Sequence, residues 1–213
     1  MTSPAWERTL NVRTAEQTHA LGAALGAQLL AGDLLVLTGE LGAGKTTLAQ
    51  GLGEGLGVRA GIISPTFVLV RIHPNRPDGP RPGGPDLVHV DAYRLGSAAE
   101  IDDIDLENTM DSAVTVVEWG RGRVEHLSDS RLEVDLVRSL GGAVPAAGVA
   151  GTTETGTTET GTTETETQDA GPLDFDTGDD DEPRTVVIRG FGPRWVHSPV
   201  LPAAMPEPTE RNS

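Results

Sequence analysis

The chain has a single lysine, Lys45, and it lies in a glycine-rich octapeptide, residues 39–46, that matches the phosphate-binding loop pattern GxxxxGK[ST]. The other positive side chains among its 16 lysines and arginines are all arginine. Lysine is a compact charge on a flexible stem, whereas arginine is a planar fork, so the two are not interchangeable beside a phosphate. The alternative is a chance match in a chain with 27 glycines. The sequence on both sides of the loop decides between them.

The residues around the loop have the pattern that a phosphate site requires. Residues 34–37 form a short apolar run that predicts a buried strand, and a helix is expected to begin near Thr46 and to end at Gly57. The loop glycines let backbone amides turn toward an anion, and the helix start adds its positive dipole end. Lys45 is expected to reach the β- and γ-phosphates, and Thr46 to bind Mg²⁺. The residues expected to contact the nucleotide are Glu40, Leu41, Gly42, Ala43, Gly44, Lys45, Thr46 and Thr47.

The remaining patterns predict an α/β fold. Thr14 and Gln17 form a capping box that opens an amphipathic helix ending near Gly32. A Pro/Gly loop, exposed and mobile, is expected over residues 73–86. Residues 97–111 are predicted to form a helix. Strands are predicted at residues 67–72, 87–90, 113–117, 131–137 and 184–189. We expect a three-layer fold like that of P-loop NTPases, with a mostly parallel central sheet built from residues 1–140 and 184–195.

Charge and composition set two segments apart from this domain. Residues 141–183 hold eleven acidic side chains before Arg184 and three copies of Gly-Thr-Thr-Glu-Thr, which predicts a disordered acidic insertion forming a long hairpin loop. Residues 196–213 are expected to form a Pro-rich free tail. The net charge of −16 argues against direct contact with a nucleic-acid backbone. The lack of cysteine, of an apolar leader and of a membrane-length run predicts a soluble cytoplasmic protein.

Three predicted strands end in residues with site chemistry: Gly39, Asp91 and Glu118. If these strands are parallel neighbours, the phosphate loop and both carboxylates converge on one edge of the sheet, where α/β proteins bind ligands. Asp91 is either a second Mg²⁺ anchor or a turn and capping residue. Glu118 either binds the metal, positions the attacking water, or is a solvated strand end. Both residues are therefore candidates for the metal site and for catalysis.

Other residues near these strand ends have two interpretations each. Thr66 is a candidate switch residue that senses the nucleotide, although Ser-Pro-Thr is also an ordinary turn. Trp119 either packs in the domain or stacks on a base or a partner, and His89 is expected to be structural. The nucleotide is expected to be ATP, because the one lysine is already in the loop and a guanine-reading Asn-Lys-x-Asp motif cannot be formed. Arg94, Arg121 and Arg123 are weighed as phosphate contacts, although exposed arginines are usually not.

Taken together, the motifs resemble the TsaE family, formerly called YjeE, of small bacterial ATPases. The matching segments, in order, are residues 39–48, 64–70, 89–95 and 117–119, and the resemblance extends over residues 8–137 and 184–195. The first motif alone indicates only a phosphate loop, whereas all four in order are specific. Val90 and Ala92 depart from the Phe and Leu that the family usually has beside the aspartate.

The resemblance implies an ATPase that acts with TsaB and TsaD to make threonylcarbamoyladenosine in tRNA, next to the anticodon, and contacts the tRNA only indirectly. It implies that Lys45 and the loop amides bind phosphates, that Thr46 and Glu118 hold Mg²⁺, and that Asp91 supports the metal and hydrolysis. It places Thr66 in a switch-like segment and Trp119 near the nucleotide. Thr14 and Arg184 are weaker candidates for nucleotide contacts.

Two other functions remain open from the sequence. One is a P-loop kinase that transfers the γ-phosphate to a small molecule, which requires an acceptor pocket and usually an arginine-bearing lid. The other is a docking module that binds ATP without significant turnover. Basal turnover of an ATPase of this size is expected to be low without a partner.

Overall fold

The computed structural model describes residues 3–138 and 182–202. One seven-stranded sheet runs through it, in the order β1-β7-β6-β2-β5-β4-β3. The strands are β1 (Trp6–Val12), β2 (Leu34–Thr38), β3 (Val70–His73), β4 (Asp86–Asp91), β5 (Ala113–Glu118), β6 (Arg131–Arg138) and β7 (Arg184–Phe191). The helices are α1 (Ala15–Gly26), α2 (Lys45–Leu56), α3 (Ala98–Asp102) and α4 (Glu107–Met110), and 3₁₀ turns cover Glu125–Leu127 and Pro193–Trp195.

The centre of the sheet is parallel, as predicted. β2 pairs in parallel with both β5 and β6, and β5 pairs in parallel with β4. The outer strands are antiparallel: β3 pairs with β4, β7 with β6, and β1 with β7. β2, β5 and β4 are therefore adjacent and point the same way, so their carboxyl ends lie along one edge. β1 was not predicted from the sequence; its side chains are mostly exposed, which weakens the apolar pattern that marks a strand.

Helices cover both faces of the sheet and give the expected three layers. In β2, Leu35 and Leu37 pack in the core shared with α1 and α2, whereas Leu34 and Val36 pack in the core that contains residues of α3 and α4. Successive strand side chains point to opposite faces, so a strand buried on both sides is apolar throughout. This explains why Leu34–Leu37 form an unbroken apolar run.

α1 and α2 pack against each other through glycines. A β-carbon built on Gly22 or Gly26 of α1 would lie 2.3 or 2.2 Å from a backbone oxygen of α2. Built on Gly51 or Gly55 of α2, it would lie 2.0 or 2.2 Å from a backbone oxygen of α1. Because only glycine lets two backbones approach this closely, the helix that carries the phosphate loop is fixed against α1.

Several predicted boundaries were wrong. α1 ends at Gly26 rather than near Gly32, because the next backbone hydrogen bonds, from Gln28 and Leu29, span three residues instead of four. Arg81 donates hydrogen bonds to the carbonyls of Gly26 (3.1 Å) and Leu29 (2.8 Å) at this end. The predicted helix over residues 97–111 is two short helices, α3 and α4. The loop before β4, which contains Arg81, is thus hydrogen-bonded to the domain.

The strand predicted at residues 67–72 begins only at Val70. Leu69 has a positive φ of 65°, which breaks the extended conformation before the strand starts. Phe67 lies in the preceding turn and is 84% exposed. The apolar run at residues 67–72 is therefore only partly a strand, and its first residues lie on the surface.

The described residues on either side of the acidic segment are neighbours. Arg138 at the end of β6 pairs with Arg184 at the start of β7, so this segment joins two antiparallel strands, as predicted. The predicted disorder of residues 141–183 falls almost wholly outside the described residues, as does most of the predicted tail. At the start of that tail, Val200 donates a backbone hydrogen bond to Gln28 (2.8 Å), and Leu201 packs against the core. No helix in the described part of the chain is long and apolar enough to cross a membrane.

Candidate functional site

Residues 39–44 of the octapeptide form the loop between β2 and α2, and Lys45 and Thr46 open the helix. Gly42 and Gly44 have positive φ values of 77° and 96°, which glycine adopts without strain. Gly39 packs so closely that a β-carbon there would lie 2.6 Å from the carbonyl oxygen of Leu136. α2 begins at Lys45, and no side chain in the described part of the chain caps the helix start at Gly44. The first amides of α2 and its positive dipole end therefore have the geometry of an anion site.

Lys45 lies folded into the loop. Its ammonium donates to the carbonyl oxygens of Gly39 (2.8 Å) and Glu40 (3.0 Å), and it lies 4.0 Å from the centre of the Trp119 ring. Burial lowers the pKa of Lys45 from its ordinary value, and the charges of Glu118 and Asp91 oppose that shift. The ammonium is thus held at the loop with little solvation, where an anionic ligand would interact with it strongly.

Glu118 meets α2 at the end of β5. Its carboxylate oxygen Oε1 accepts hydrogen bonds from the Thr46 hydroxyl (3.4 Å) and from Nε2 of His89 (2.9 Å). The Glu118 side chain is only 3% exposed. The structure therefore brings together Thr46 and Glu118, which are the two oxygen ligands expected for Mg²⁺. Thr46 belongs to the first of the four sequence motifs and Glu118 to the last.

Asp91 lies at the end of β4, directly paired with Glu118 in the neighbouring strand. Its Oδ1 accepts the backbone N–H of Tyr93 (2.9 Å), and its Oδ2 accepts the hydroxyl of Ser64 (3.5 Å). The hydroxyls of Ser64 and Thr66 are 2.8 Å apart. Asp91 thus has the contacts of a turn residue and also lies at the site edge. Sequence reasoning had not singled out Ser64, although it belongs to the same Ser-Pro-Thr turn as Thr66.

Trp119 forms one wall of the site. Its φ is 62°, and its backbone N–H donates to the carbonyl of Leu37 (3.0 Å), which holds Trp119 next to the strand that leads into the loop. Its ring makes an edge contact with Tyr93, with ring centres 5.3 Å apart. The indole therefore lies against Lys45 on one side and Tyr93 on another, and is not simply core packing.

Thr14 and Arg184 differ in how they relate to the loop. Thr14 caps α1 by accepting the backbone N–H of Gln17 (3.2 Å), so its hydroxyl has a structural role. Arg184 lies beside Gly44: a β-carbon built there would be 3.6 Å from its Nε. That Nε is buried and has no hydrogen-bond partner among the described residues. Arg184 therefore remains a candidate for contact with an anion in the loop.

Sequence reasoning missed Arg138, which flanks the loop on the same side as Arg184. Its Nη1 is 3.4 Å from where a β-carbon on Gly42 would lie, and it forms an ion pair with Glu182. Its position at the end of a predicted strand could have marked Arg138 as a site candidate, since that strand, β6, pairs with β2. The antiparallel pairing of β6 with β7 thus brings two guanidinium groups to the phosphate loop.

The three arginines weighed as phosphate contacts are engaged elsewhere. Arg121 pairs with Asp135 and Glu133, and Arg123 donates to the carbonyl of Ala92 (2.7 Å). Arg94 lies over the exposed ring of Phe67, 5.0 Å from its centre.

A cavity of about 380 Å³ lies near the other end of α2 and is lined by residues such as Gln50, Glu54 and Arg59. The phosphate loop does not line this cavity.

Comparisons with known proteins identify relatives across the described domain. Residues 12–141 match the family model of the threonylcarbamoyl adenosine biosynthesis protein TsaE. The chain is 55% identical over 122 residues to the tRNA threonylcarbamoyladenosine biosynthesis protein TsaE of Streptomyces coelicolor, covering 57% of this chain and 79% of that protein. It is 36% identical over 133 residues to the protein of the same name from Bacillus subtilis, covering 62% and 77%.

A solved structure supports the same fold. The crystal structure of YdiB from Bacillus subtilis superimposes with a TM-score of 0.55 and covers 89% of each chain at 24% identity. At this identity the likeness concerns the fold alone. It agrees with the three-layer α/β arrangement described above.

Proposed function

The chain belongs to the TsaE family, and from that premise we propose that it binds and hydrolyses MgATP as a cytoplasmic component of threonylcarbamoyladenosine biosynthesis in tRNA. The observation that carries the proposal is the position of the Thr46 hydroxyl, 3.4 Å from the Glu118 carboxylate, at the start of the helix that follows the phosphate loop. This arrangement joins an anion site to a pair of hard oxygen ligands.

ATP would contact four groups of this chain. The amides at the start of α2 and the ammonium of Lys45 would bind the phosphates, and Lys45 would exchange its bonds to the carbonyls of Gly39 and Glu40 for phosphate oxygens. The Nε of Arg184 lies beside Gly44 and has no hydrogen-bond partner among the described residues, so Arg184 would add a contact from β7. Trp119 supplies a flat apolar surface at the edge of the same site.

The donor set also fits Mg²⁺. Mg²⁺ prefers oxygen ligands and is usually held by one or two carboxylates together with substrate phosphates. Thr46 and Glu118 would hold it, with Asp91 beside them on the adjacent strand. When bound, the ion would neutralise charge on the transferring phosphoryl group.

The chain's own residues would promote hydrolysis by positioning. Lys45 and the loop amides keep the phosphates in register, and Asp91 would accept a hydrogen bond from the attacking water. The Ser64–Thr66 hydroxyl pair holds Asp91 from the turn that precedes β3. Because Phe67 and Val68, which follow directly, are exposed, we expect a partner protein to bind this segment and raise turnover.

Exposed apolar residues around the site support action with the partners TsaB and TsaD. Phe67, Leu41 and Tyr93 are 84%, 76% and 64% exposed, and all three lie next to site residues. Aromatic side chains with an adjacent arginine, here Arg94 over Phe67, are typical of the centres of protein interfaces. The tRNA would be contacted through these partners rather than by this acidic chain.

The experiment is ADP release by the purified chain, alone and with TsaB, TsaD and substrate tRNA. We expect low basal turnover and marked stimulation, both absent in Lys45→Ala. Arg8→Ala, which removes an exposed cation from the far edge strand β1, serves as the matched control and should behave as wild type. Phe67→Ser should lose stimulation while keeping ATP binding.

Two outcomes would redirect the proposal. ATP binding without turnover under any of these conditions would favour a nucleotide-dependent docking module. ADP release that depends on an added small-molecule acceptor rather than on the partner proteins would favour a kinase.

A further inference from the structure

His89 lies in the strand between β5 and the edge strand β3. It is on β4, two residues before Asp91, and its side chain is fully buried. Leu87 of the same strand packs in the core under α1 and α2, so the alternation along β4 places His89 and Asp91 on that face as well. The same alternation in β5, from Val116, places Glu118 there. A buried histidine therefore shares one layer with both site carboxylates.

The only hydrogen bond that the described residues give to the His89 side chain goes to Glu118. Nε2 of His89 is 2.9 Å from Glu118 Oε1, whereas Nδ1 is buried and has no partner in the described part of the chain. A carboxylate only accepts, so Nε2 must carry the proton in this bond. The geometry thus favours the tautomer with hydrogen on Nε2.

We propose that His89 is a positioning residue that fixes the Glu118 carboxylate for its metal. The two hydrogen bonds that described residues give to the Glu118 carboxylate, from His89 and from Thr46, reach the same oxygen, Oε1. His89 therefore orients the Glu118 carboxylate before any ligand binds, and Oε2 is the oxygen that remains for a metal. Outer partners that orient a ligating group in this way raise metal affinity.

A purely structural histidine is the competing explanation. The ring of His73 lies 6.3 Å from that of His89, but neither His73 Nε2 nor His89 Nδ1 has a hydrogen-bond partner among the described residues. If His89 served packing alone, an aliphatic residue would fill the site without burying an unpaired nitrogen. The bond to Glu118 is what the imidazole adds. The inference rests on the proposed metal–nucleotide function, and its test must separate the two.

The test measures Mn²⁺ binding by electron paramagnetic resonance, with the full chain saturated by a non-hydrolysable ATP analogue. In His89→Leu, Mn²⁺ affinity should fall about ten- to one-hundredfold, the usual effect of removing such an outer partner. His89→Gln, which keeps an N–H donor at similar reach, should recover most of that loss. Affinity for the analogue without metal, measured in a chelator, should be unchanged in both variants.

Thr115→Val is the matched control. Thr115 is fully buried in β5, and its hydroxyl has no partner among the described residues, so its replacement removes a buried polar group away from Glu118. It should leave Mn²⁺ binding as in wild type. Unchanged Mn²⁺ affinity in a folded His89→Leu protein would overturn the proposal. So would a folded His89→Gln protein that binds as weakly as His89→Leu.

A measurement on the wild-type chain covers the case in which the variants do not fold. Nitrogen-15 NMR of the imidazole should show the His89 proton on Nε2, and a proton on Nδ1 with a bare Nε2 would refute the assignment. Failure of the proposed function would give a different result. The wild-type chain would then not bind the analogue at all, or would bind it in chelator but bind Mn²⁺ no more tightly with the analogue than without it.

Discussion

The glycine contact between α1 and α2 predicts that two similar substitutions in one helix will have different effects. Gly51 and Gly53 both lie inside α2, so alanine at either position gains about 1 kcal/mol of intrinsic helix propensity. A β-carbon on Gly51 would lie 2.0 Å from the backbone oxygen of His19, and one on Gly53 would lie 2.1 Å from Cδ1 of Ile62. The first obstacle is backbone, whereas the second is the tip of a side chain that can rotate.

The magnitude follows from that difference. Real β-carbons essentially never approach other atoms closer than 3.0 Å, so Gly51→Ala must move α1 and α2 apart by about 1 Å. Overpacking costs about 1–3 kcal/mol, and a backbone obstacle places Gly51→Ala at the upper end. After the gain in propensity, the free energy of unfolding should fall by about 2 kcal/mol, which lowers Tm by roughly 4–8 °C in a chain of this size. Gly53→Ala should remain within about 1 kcal/mol of wild type.

Thermal and urea unfolding, followed by circular dichroism, measure both variants. Because α2 begins in the phosphate loop, affinity for an ATP analogue should also fall in Gly51→Ala and persist in Gly53→Ala. Equal stability of the two variants, or a Gly51→Ala protein as stable as wild type, would refute the close backbone contact between the helices.

Three further predictions concern the loop lysine and the acidic segment. Lys45→Ala should weaken ATP binding at least about a hundredfold, because two charged hydrogen bonds worth about 1.5–3 kcal/mol each are lost. Calorimetric titration measures this, and wild-type affinity in the variant would contradict the site. The single lysine signal in nitrogen-15 NMR should titrate below the ordinary lysine pKa in the free protein, because burial disfavours the charge, and should move upward when ATP binds. The unfolded chain then binds this proton more tightly than the folded protein does. The contribution of Lys45 to the free energy of unfolding therefore rises with pH between its pKa in the folded protein and its pKa in the unfolded chain. An ordinary lysine pKa in the free protein would count against this prediction. Deleting residues 145–180 should leave Tm and ATP affinity nearly unchanged, because Arg138 and Arg184 already pair as neighbours, and a cooperative loss of structure in the deletion variant would show the reverse.

The sequence alone was enough to predict that the loop after β2 and two carboxylates lie at one edge of the sheet. Local patterns carry this information: an apolar run before Gly39, a helix start at Thr46, and acidic residues after two further apolar runs. Parallel strands place such ends on one edge, so Asp91 and Glu118 could be assigned to the same site before any distance was known. The weaker local patterns failed at boundaries, as at residues 67–69, where Leu69 has a positive φ.

Only the tertiary structure decided which residues touch across long separations in the chain. The bond between His89 and Glu118, the approach of Gly51 to His19, and the position of Arg138 beside Gly42 each join residues on different elements. The sequence fixes the side chain at each position, but whether two of them meet depends on how the helices and strands pack. A hydrogen bond or a backbone contact forms only within a few tenths of an ångström, and that precision comes from the assembled sheet and helices rather than from any local pattern.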